Sequence, residues 1–129
     1  MYRDLSIIAI VPVFNEEAKI GEVVARIPRQ IVDEVLVVDD GSTDDSGEEA
    51  RAFGARVISM SATLGVGAAL QAGYEHAINH GYEVTVTVAG NNKDAPEEIP
   101  LLLHPIAEGR ADFVQRGSTP TMSIRETIC

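Results

Sequence analysis

The sequence is poor in cysteine, aromatic residues and positive charge. Its 129 residues include one cysteine, no tryptophan, three phenylalanines and three tyrosines. The single cysteine, Cys129, cannot form an internal disulfide, so the sequence favours a reducing compartment. Ten lysines and arginines stand against twenty aspartates and glutamates, a formal net charge of -10. Because nucleic-acid binding needs a positive footprint, this balance argues against a nucleic-acid partner.

Long hydrophobic segments are also missing. The longest apolar stretch runs from Leu5 to Phe14, far short of the roughly 20 residues that a membrane helix needs. Charged residues precede this stretch and acidic residues follow it, which is unlike a cleaved signal peptide. We therefore expect a cytoplasmic domain with no transmembrane segment, and peripheral association with a membrane stays open.

What the sequence does contain is a regular alternation of strand and helix patterns. Short, branched, apolar runs predict buried strands over residues 6–11, 34–38, 56–60, 83–88 and 111–114. Helical patterns fall between them, over residues 20–27, 46–53, 65–80 and 96–107. This order predicts an α/β fold with three layers, α/β/α, around a mostly parallel, Rossmann-like sheet. The division that follows is one domain over residues 1–118 and a polar C-terminal tail over residues 119–129.

Local signals add detail to two of these helices. Ser46 followed by Glu49 has the spacing of a capping box, which predicts the start of the second helix. In the third helix, Leu70, Tyr74 and Ile78 form one apolar stripe, which predicts the buried face.

The same helix carries a histidine pair that could bind a metal. His76 and His80 are four residues apart, a spacing that can chelate a metal ion. They lie opposite the apolar stripe, and no glutamate follows His76. Surface histidines are therefore the preferred interpretation.

Three polar loops follow predicted strands, over residues 12–17, 39–44 and 89–94. Ligands of open parallel sheets bind at the carboxyl ends of the strands, where all three loops emerge. Phe14 can lie against a base, and carboxylates such as Glu16 and Asp39 can accept hydrogen bonds from a base or a ribose. Gly41 permits a tight turn and a close backbone approach. The chemistry of this edge suits a nucleotide.

Five segments in this order resemble the nucleotide-binding half of family 2 glycosyltransferases. They are IVPVFNEE, EVLVVDDGSTD, GARVI, LGVGAALQAGYEHA and DAPEEIPLLLHPIAEGRADFVQ, and the resemblance extends over residues 5–118. The most similar branch includes dolichyl-phosphate mannose synthase and polyprenyl-phosphate sugar transferases. The resemblance implies the GT-A fold and transfer of a sugar from a UDP- or GDP-sugar, with inversion. It also implies a divalent metal, Mg²⁺ or Mn²⁺, that holds the diphosphate of the donor.

Carried over position by position, the resemblance implies a set of nucleotide-sugar-binding residues but identifies no catalytic residue. The set comprises Pro12, Phe14, Asn15, Glu16, Asp39, Asp40, Gly41, Gly65 and Lys93. Two family positions differ next to Gly65. Thr63 replaces the usual asparagine, and Val66 occupies a position that is often basic. These differences affect one expected contact to phosphate.

The expected metal site departs further from the family. The usual Asp-x-Asp corresponds to Ala89, Gly90 and Asn91, so both acids are missing. Hard dications prefer anionic oxygen ligands, and Asn91 offers only a neutral amide oxygen. Three alternatives stay open: Asp94 replaces the lost ligand beside Asn91, Lys93 neutralises the diphosphate itself, or the protein binds weakly without catalysis.

The second departure from the family is the lack of its acceptor-binding half, because the sequence stops just after Gly117 and Ser118. A polyprenyl phosphate acceptor is already anionic and needs no general base, whereas a glycan hydroxyl does. The alternative function is a non-catalytic nucleotide-sugar-binding or regulatory module. A sheet edge exposed by the truncation favours a homo-oligomer.

Overall fold

A computed structural model describes residues 5–88, 90, 113–115 and 121–124 of the chain. Strands and helices alternate through the first part, as the sequence predicts. In chain order the elements are β1 (Ile7–Val13), α1 (Ile20–Arg26), β2 (Glu34–Asp39), α2 (Ser46–Ala52), β3 (Arg56–Ser59), α3 (Val66–Asn79), β4 (Val84–Thr87), β5 (Phe113–Gln115) and β6 (Thr121–Ile124).

The described strands form one sheet in the order β3-β2-β1-β4-β6-β5. The pairs β1–β2, β1–β4 and β2–β3 are parallel, whereas β6 runs antiparallel to both β4 and β5. Because chain order reverses at β1, which lies between β2 and β4, the β1 edge is a topological switch point. The predicted mostly parallel, Rossmann-like sheet is confirmed.

Strand β1 is buried on both faces, which explains its nearly continuous apolar sequence. Ile7, Ala9, Val11 and Val13 pack in one core cluster with residues of α1 and α2. Ile8 and Ile10 point the opposite way and pack in a second cluster with residues of α3. Successive side chains of a strand alternate between its faces, so a strand between two helical layers must be apolar at every position. The predicted three-layer arrangement is confirmed.

The predicted stripe matches the buried face of α3 only in part, since Leu70 and Tyr74 are partly buried against the second core cluster. Ala69, Gly73 and Ala77 are buried, while Ile78 is 52% exposed. A Cβ atom at Gly73 would lie 2.5 Å from the Cγ2 atom of Ile10, so the helix backbone approaches β1 closely. Small residues make this approach possible, and the larger apolar side chains are displaced to the flanks. The prediction was wrong for Ile78, because the residues of α3 that lie closest to the sheet are small.

The predicted capping box of α2 is also wrong. The helix begins at Ser46, its N-cap position is Asp45, and no side-chain hydrogen bond caps it. The Ser46 hydroxyl and the Glu49 carboxylate instead bond to backbone N–H groups of the loop before α1 and of the first turn of α1. Competing donors from a neighbouring loop therefore outweigh the local capping pattern.

The end of the chain differs from the pattern read along the sequence. Strand β6 lies within residues 119–129, where a polar tail without an element was expected. It pairs with β4 through a backbone ladder, which a polar segment can form when a partner strand is available. The predicted helix over residues 96–107 lies outside the described residues, and the division at residue 118 stays a prediction. Among the residues that the structure describes, no helix has both the length and the apolar character needed to cross a membrane.

Candidate functional site

A cavity of about 160 Å³ opens at the carboxyl end of β1, beside the start of α3. Its lining combines apolar side chains with two carboxylates. The lining residues are Pro12, Val13, Phe14, Glu16, Asp40, Val66 and Ala69. Four of the predicted binding residues therefore meet there, namely Pro12, Phe14, Glu16 and Asp40. They surround the switch point of the sheet, where ligands of this architecture bind.

The Asp40 carboxylate anchors the segment that leads into α3. Its two oxygens accept hydrogen bonds from the backbone N–H groups of Leu64 and Gly65, at 2.8 and 2.9 Å. The residue is 5% exposed, and its own N–H donates to the carbonyl of Val13. Asp40 thus ties the ends of β1 and β2 to the start of α3, while it forms part of the cavity wall.

Asp39 and Asn15 do not line the cavity. The Asp39 carboxylate is 9% exposed and accepts a hydrogen bond from the N–H of Ser42 at 2.9 Å. Asn15 adopts a left-handed backbone with φ of 53°, and its amide oxygen accepts from the N–H of Thr43 at 2.8 Å. Both side chains shape the loops, and their contact with a nucleotide stays a prediction.

Gly41 occupies a position that only glycine fits without strain. Its φ is +77°, and a Cβ atom there would lie 2.8 Å from the hydroxyl oxygen of Thr63 and 2.9 Å from the Thr63 nitrogen. The backbone thus makes the expected tight turn and approaches Thr63 closely, while the contact of Gly41 with a nucleotide stays a prediction. Gly65 also has a positive φ, +100°, but a Cβ there would meet no atom of the described residues within 4 Å. Gly41 is therefore required by packing as well as by conformation.

Gly90 brings the loop after β4 to the same edge. A Cβ atom at Gly90 would lie 2.9 Å from a methyl carbon of Val13 and 3.2 Å from the carbonyl oxygen of Pro12. The third predicted loop thus begins against the end of β1. The residues predicted to hold metal or phosphate from this loop, Asn91, Lys93 and Asp94, lie outside the described residues, as does Ala89. In the described part of the chain, no group of three histidine, cysteine or acidic residues could hold a metal ion.

Hydrogen bonds join the loop after β1 to the loop after β2. The N–H of Asn15 donates to the Ser42 hydroxyl at 2.9 Å. The N–H of Glu17 donates to the Asp44 carboxylate at 3.2 Å, and the N–H of Asp45 donates to the Glu17 carboxylate at 3.3 Å. The two loops are therefore held together at the mouth of the cavity. Because the bonded residues are far apart in the sequence, local sequence patterns do not predict these bonds.

The pKa of Asp44 reflects this arrangement. Burial alone would raise the pKa of this carboxyl group. Hydrogen bonds from the hydroxyl and N–H groups of Ser46 and from the N–H of Glu17 outweigh burial and lower the pKa below its ordinary value of 3.8. Asp44 therefore stays ionised well into the acidic range and continues to accept the bonds that join the two loops.

The chain matches the glycosyl transferase family 2 profile over residues 8–119. It belongs to glycosyl transferase family 2. The polyprenol monophosphomannose synthase of Mycolicibacterium smegmatis is 36% identical over 109 residues, covering 79% of this chain and 41% of that protein. The dodecaprenyl-phosphate galacturonate synthase of Rhizobium johnstonii is 28% identical over 123 residues, covering 87% of this chain and 36% of that protein. This family 2 chain thus spans about two fifths of its curated relatives.

Solved structures of family relatives support the GT-A fold. Glucosyl-3-phosphoglycerate synthase from Mycobacterium tuberculosis, solved with Mn²⁺, UDP and glucosyl-3-phosphoglycerate, aligns with a TM-score of 0.78 at 26% identity. The alignment covers 95% of this chain and 58% of that one. A structure of the same enzyme with Mn²⁺, UDP-glucose and phosphoglyceric acid aligns with a TM-score of 0.71 at 31% identity, over 87% of this chain and 43% of that one. The resemblance noted in the sequence is confirmed for family and fold.

The histidines of this family 2 domain lie at the opposite, amino end of the sheet. The Nε2 atom of His76 lies 2.8 Å from the Glu34 carboxylate, and the His76 side chain is 10% exposed. The hydroxyl of Tyr82 donates to the same carboxylate at 2.9 Å, and Arg56 pairs with it at 3.3 Å. The predicted surface position is therefore wrong for His76, because α3 packs against β2. His80 is exposed and stacks on His76 with ring centres 4.1 Å apart.

Burial and the neighbouring Glu34 raise the pKa of Tyr82 to about 12. The hydrogen bond to Glu34 favours the neutral phenol, since an ionised phenolate would face a carboxylate. Tyr82 therefore stays protonated throughout the neutral pH range.

Proposed function

We propose that this domain binds a UDP- or GDP-sugar in the cavity and transfers the sugar, with inversion, to a polyprenyl phosphate. The observation that carries the proposal is the meeting of Phe14, Glu16 and Asp40 around one cavity at the switch point of the sheet. The Phe14 side chain is 46% exposed, so its ring is available to stack on a base. The Glu16 carboxylate can accept hydrogen bonds from ribose hydroxyls.

The reaction is an in-line displacement at the anomeric carbon. The phosphate oxygen of the acceptor forms a bond to that carbon, while the bond to the diphosphate oxygen breaks and the nucleoside diphosphate leaves. A polyprenyl phosphate is an anionic nucleophile, so no general base is needed to remove a proton. Catalysis then consists of positioning the reactants and stabilising the leaving diphosphate.

Relatives support both the donor and the acceptor in this proposal. Two curated relatives carry polyprenol or dodecaprenyl phosphate in their names, and both act on sugars. The aligned structures of glucosyl-3-phosphoglycerate synthase hold UDP or UDP-glucose with Mn²⁺. We propose that Mg²⁺ or Mn²⁺ assists the leaving diphosphate here too, with Asp94 and Asn91 as ligands, or that Lys93 neutralises it directly.

Location and assembly follow from the acceptor and from the sheet. A polyprenyl phosphate is a membrane lipid, so we place the domain in the cytoplasm, in peripheral contact with a membrane. Strand β3 lies at one edge of the described sheet and offers backbone groups to a second copy. A homo-oligomer is therefore part of the proposal.

A non-catalytic nucleotide-sugar-binding or regulatory module is the second candidate. The observation that favours it is the replacement of the family's Asp-x-Asp by Ala89, Gly90 and Asn91. Such a module would bind the donor but neither hydrolyse nor transfer it. Turnover of UDP- and GDP-sugars, with and without a short-chain polyprenyl phosphate, separates the two candidates.

Calorimetric titration with UDP and GDP, with and without Mn²⁺, tests the donor site first. Phe14→Ala should weaken binding of the preferred nucleotide by about 1–3 kcal/mol, the range measured for base stacking on aromatic side chains. Phe53→Ala is the matched control, since Phe53 is 51% exposed at the C-cap of α2 and does not line the cavity. Equal affinities for the two variants would contradict the assigned base position.

The same titration decides between the two phosphate-binding schemes. If Asp94 is a metal ligand, Asp94→Ala should abolish the gain in affinity that Mn²⁺ provides. If Lys93 neutralises the diphosphate, Lys93→Ala should weaken binding to the same extent with and without Mn²⁺. Absence of binding for both nucleotides in the unaltered protein would refute the donor site.

A further inference from the structure

We propose that Ser46 and Glu49 of α2 form a bracket that positions Glu16 in the donor cavity. The bracket consists of these two side chains, which lie three residues apart on one helix. Neither residue lines the cavity, so both are positioning residues. The inference rests on the proposed function, because Glu16 is one of the residues assigned to the donor.

Ser46 fixes the backbone of Glu16 from one side. Its side chain is fully buried, and its hydroxyl oxygen accepts a hydrogen bond from the N–H of Glu16 at 2.8 Å. The carbonyl of Glu16 accepts bonds from the N–H groups of Lys19 and Ile20 at 3.0 and 2.9 Å. Both polar groups of the Glu16 backbone are therefore held, and its side chain is directed toward the cavity.

Glu49 holds the next part of the loop and caps α1. One carboxylate oxygen accepts from the N–H of Ala18 at 2.7 Å, and the other accepts from the N–H of Gly21 at 2.6 Å. The N-cap residue of α1 is Lys19, which makes no side-chain capping bond. The first N–H groups of a helix need acceptors, and Glu49 supplies one from a separate helix.

The loop needs this support because part of it is strained. Ala18 has a φ of 71°, in the left-handed region that residues with a side chain seldom adopt. The charge-assisted hydrogen bond from the Ala18 N–H to the Glu49 carboxylate offsets that strain. Loss of the Glu49 carboxylate should therefore release Ala18 toward a relaxed backbone and move Glu16 with it.

Gly21 makes the approach of the carboxylate possible. A Cβ atom at Gly21 would lie 2.8 Å from a carboxylate oxygen of Glu49 and 2.5 Å from the ring of Phe53. Helices α1 and α2 thus pack closely at this glycine. Ser46 and Glu49 have the spacing of a capping box, but they bond to α1 and the loop before it, and not to the start of their own helix.

The test compares Glu49→Gln with Glu48→Gln. Both variants remove one negative charge from the first turn of α2, but Glu48 is exposed and the structure gives it no hydrogen bond to the loop. Amide hydrogen exchange of Ala18 and Gly21 is measured without any nucleotide, and nucleotide affinity is then measured by calorimetry. Glu49→Gln should accelerate exchange at these two amides by about tenfold, equivalent to the loss of one charge-assisted bond, and weaken binding by a similar factor.

The possible results separate the bracket from the donor site. Faster exchange with weaker binding in Glu49→Gln, and no change in Glu48→Gln, supports the proposal. Unchanged exchange, or faster exchange with unaltered affinity, overturns it. If the unaltered protein binds neither UDP nor GDP, the proposed function fails, and the exchange rates alone decide whether the bracket holds the loop. Ser46→Ala provides a second variant, which should accelerate exchange at the Glu16 amide.

Discussion

The two ends of β2 both carry buried or half-buried carboxylates, but these are satisfied in different ways. At the carboxyl end, the oxygens of Asp40 bind backbone N–H groups of Leu64 and Gly65. At the amino end, the oxygens of Glu34 bind the side chains of His76 and Tyr82. The bonds of Asp40 fix the backbone conformation of the segment before α3, whereas the bonds of Glu34 join side chains of packed elements.

This difference explains why the cavity lies at the carboxyl end. At the carboxyl end, backbone N–H groups donate to the side chains of Asp40, Asn15 and Glu17. These bonds hold the loops without the side chains of Phe14 and Glu16. Phe14 and Glu16 therefore remain available to line the cavity. At the amino end, the polar side chains of the Glu34 cluster are engaged with one another, which favours stability over ligand binding.

The largest expected difference between the ends concerns two glycines with similar backbones. Gly41 at the carboxyl end has φ +77° and a crowded Cβ position, whereas Gly81 at the amino end has φ +75° and open space. Gly41→Ala should lower the free energy of unfolding by about 3 kcal/mol, and Gly81→Ala by about 1 kcal/mol, because only the first adds a steric clash to the backbone strain.

Urea unfolding of both variants measures this difference. Equal losses would show that the loop after β2 is not pressed against Thr63 as the structure has it. The difference in packing between the two ends of β2 would then be refuted at Gly41.

A smaller difference is expected when each carboxylate becomes an amide. Asp40→Asn places an NH₂ group against a backbone N–H donor, so it should cost about 2 kcal/mol of unfolding free energy. Glu34→Gln should cost about 1 kcal/mol or less, since the new amide oxygen can still accept from Tyr82 and the ion pair lost with the exposed Arg56 is screened by solvent. Denaturant titration at neutral pH checks both values, and a larger loss for Glu34→Gln would reverse the comparison.

The smallest effect is a response to opposite extremes of pH. The folded-state pKa of Asp44 is lowered, so its contribution to stability is present above its ordinary value of 3.8 and is lost as the pH falls through the folded-state value. The folded-state pKa of Tyr82 is raised from 10.0 to about 12, so its contribution is complete below pH 10.0 and declines as the pH rises toward 12.

Unfolding free energy measured across the pH range tests this pair. Asp44→Asn should flatten the acid side of the profile and leave the alkaline side unchanged. Tyr82→Phe should do the reverse. Identical profiles for both variants and the unaltered protein would show that neither group is coupled to folding.

Much of the candidate site could be predicted because it depends on strand ends. The apolar run around β1 and the loops after β1 and β2 identify one edge of the sheet, and Phe14, Glu16 and Asp40 meet there. Asp39 and Asn15 belong to the same loops, but their side chains turn toward neighbouring backbone groups. Position along a loop predicts the edge on which a residue lies, but not the direction of its side chain.

Other features depend on partners far away in the sequence. Glu49 bonds to an amide 31 residues away, and His76 bonds to a carboxylate 42 residues away. The local patterns predicted a capping box at Glu49 and an exposed surface at His76. In the structure, Glu49 bonds to the loop before α1 and His76 is largely buried against Glu34. Strand β6 likewise forms because β4 offers it a backbone ladder.

The sequence by itself determined the alternation of elements, the three-layer fold and the edge that carries the site. Periodicity and turn residues act over a few positions, and strand ends must emerge together in a parallel sheet. Only the tertiary structure decided which donor each carboxylate accepts, because burial and packing bring together groups that the sequence separates. Packing thus brings the Asp40 carboxylate to the backbone N–H groups just before α3, and the Glu49 carboxylate to those at the start of α1.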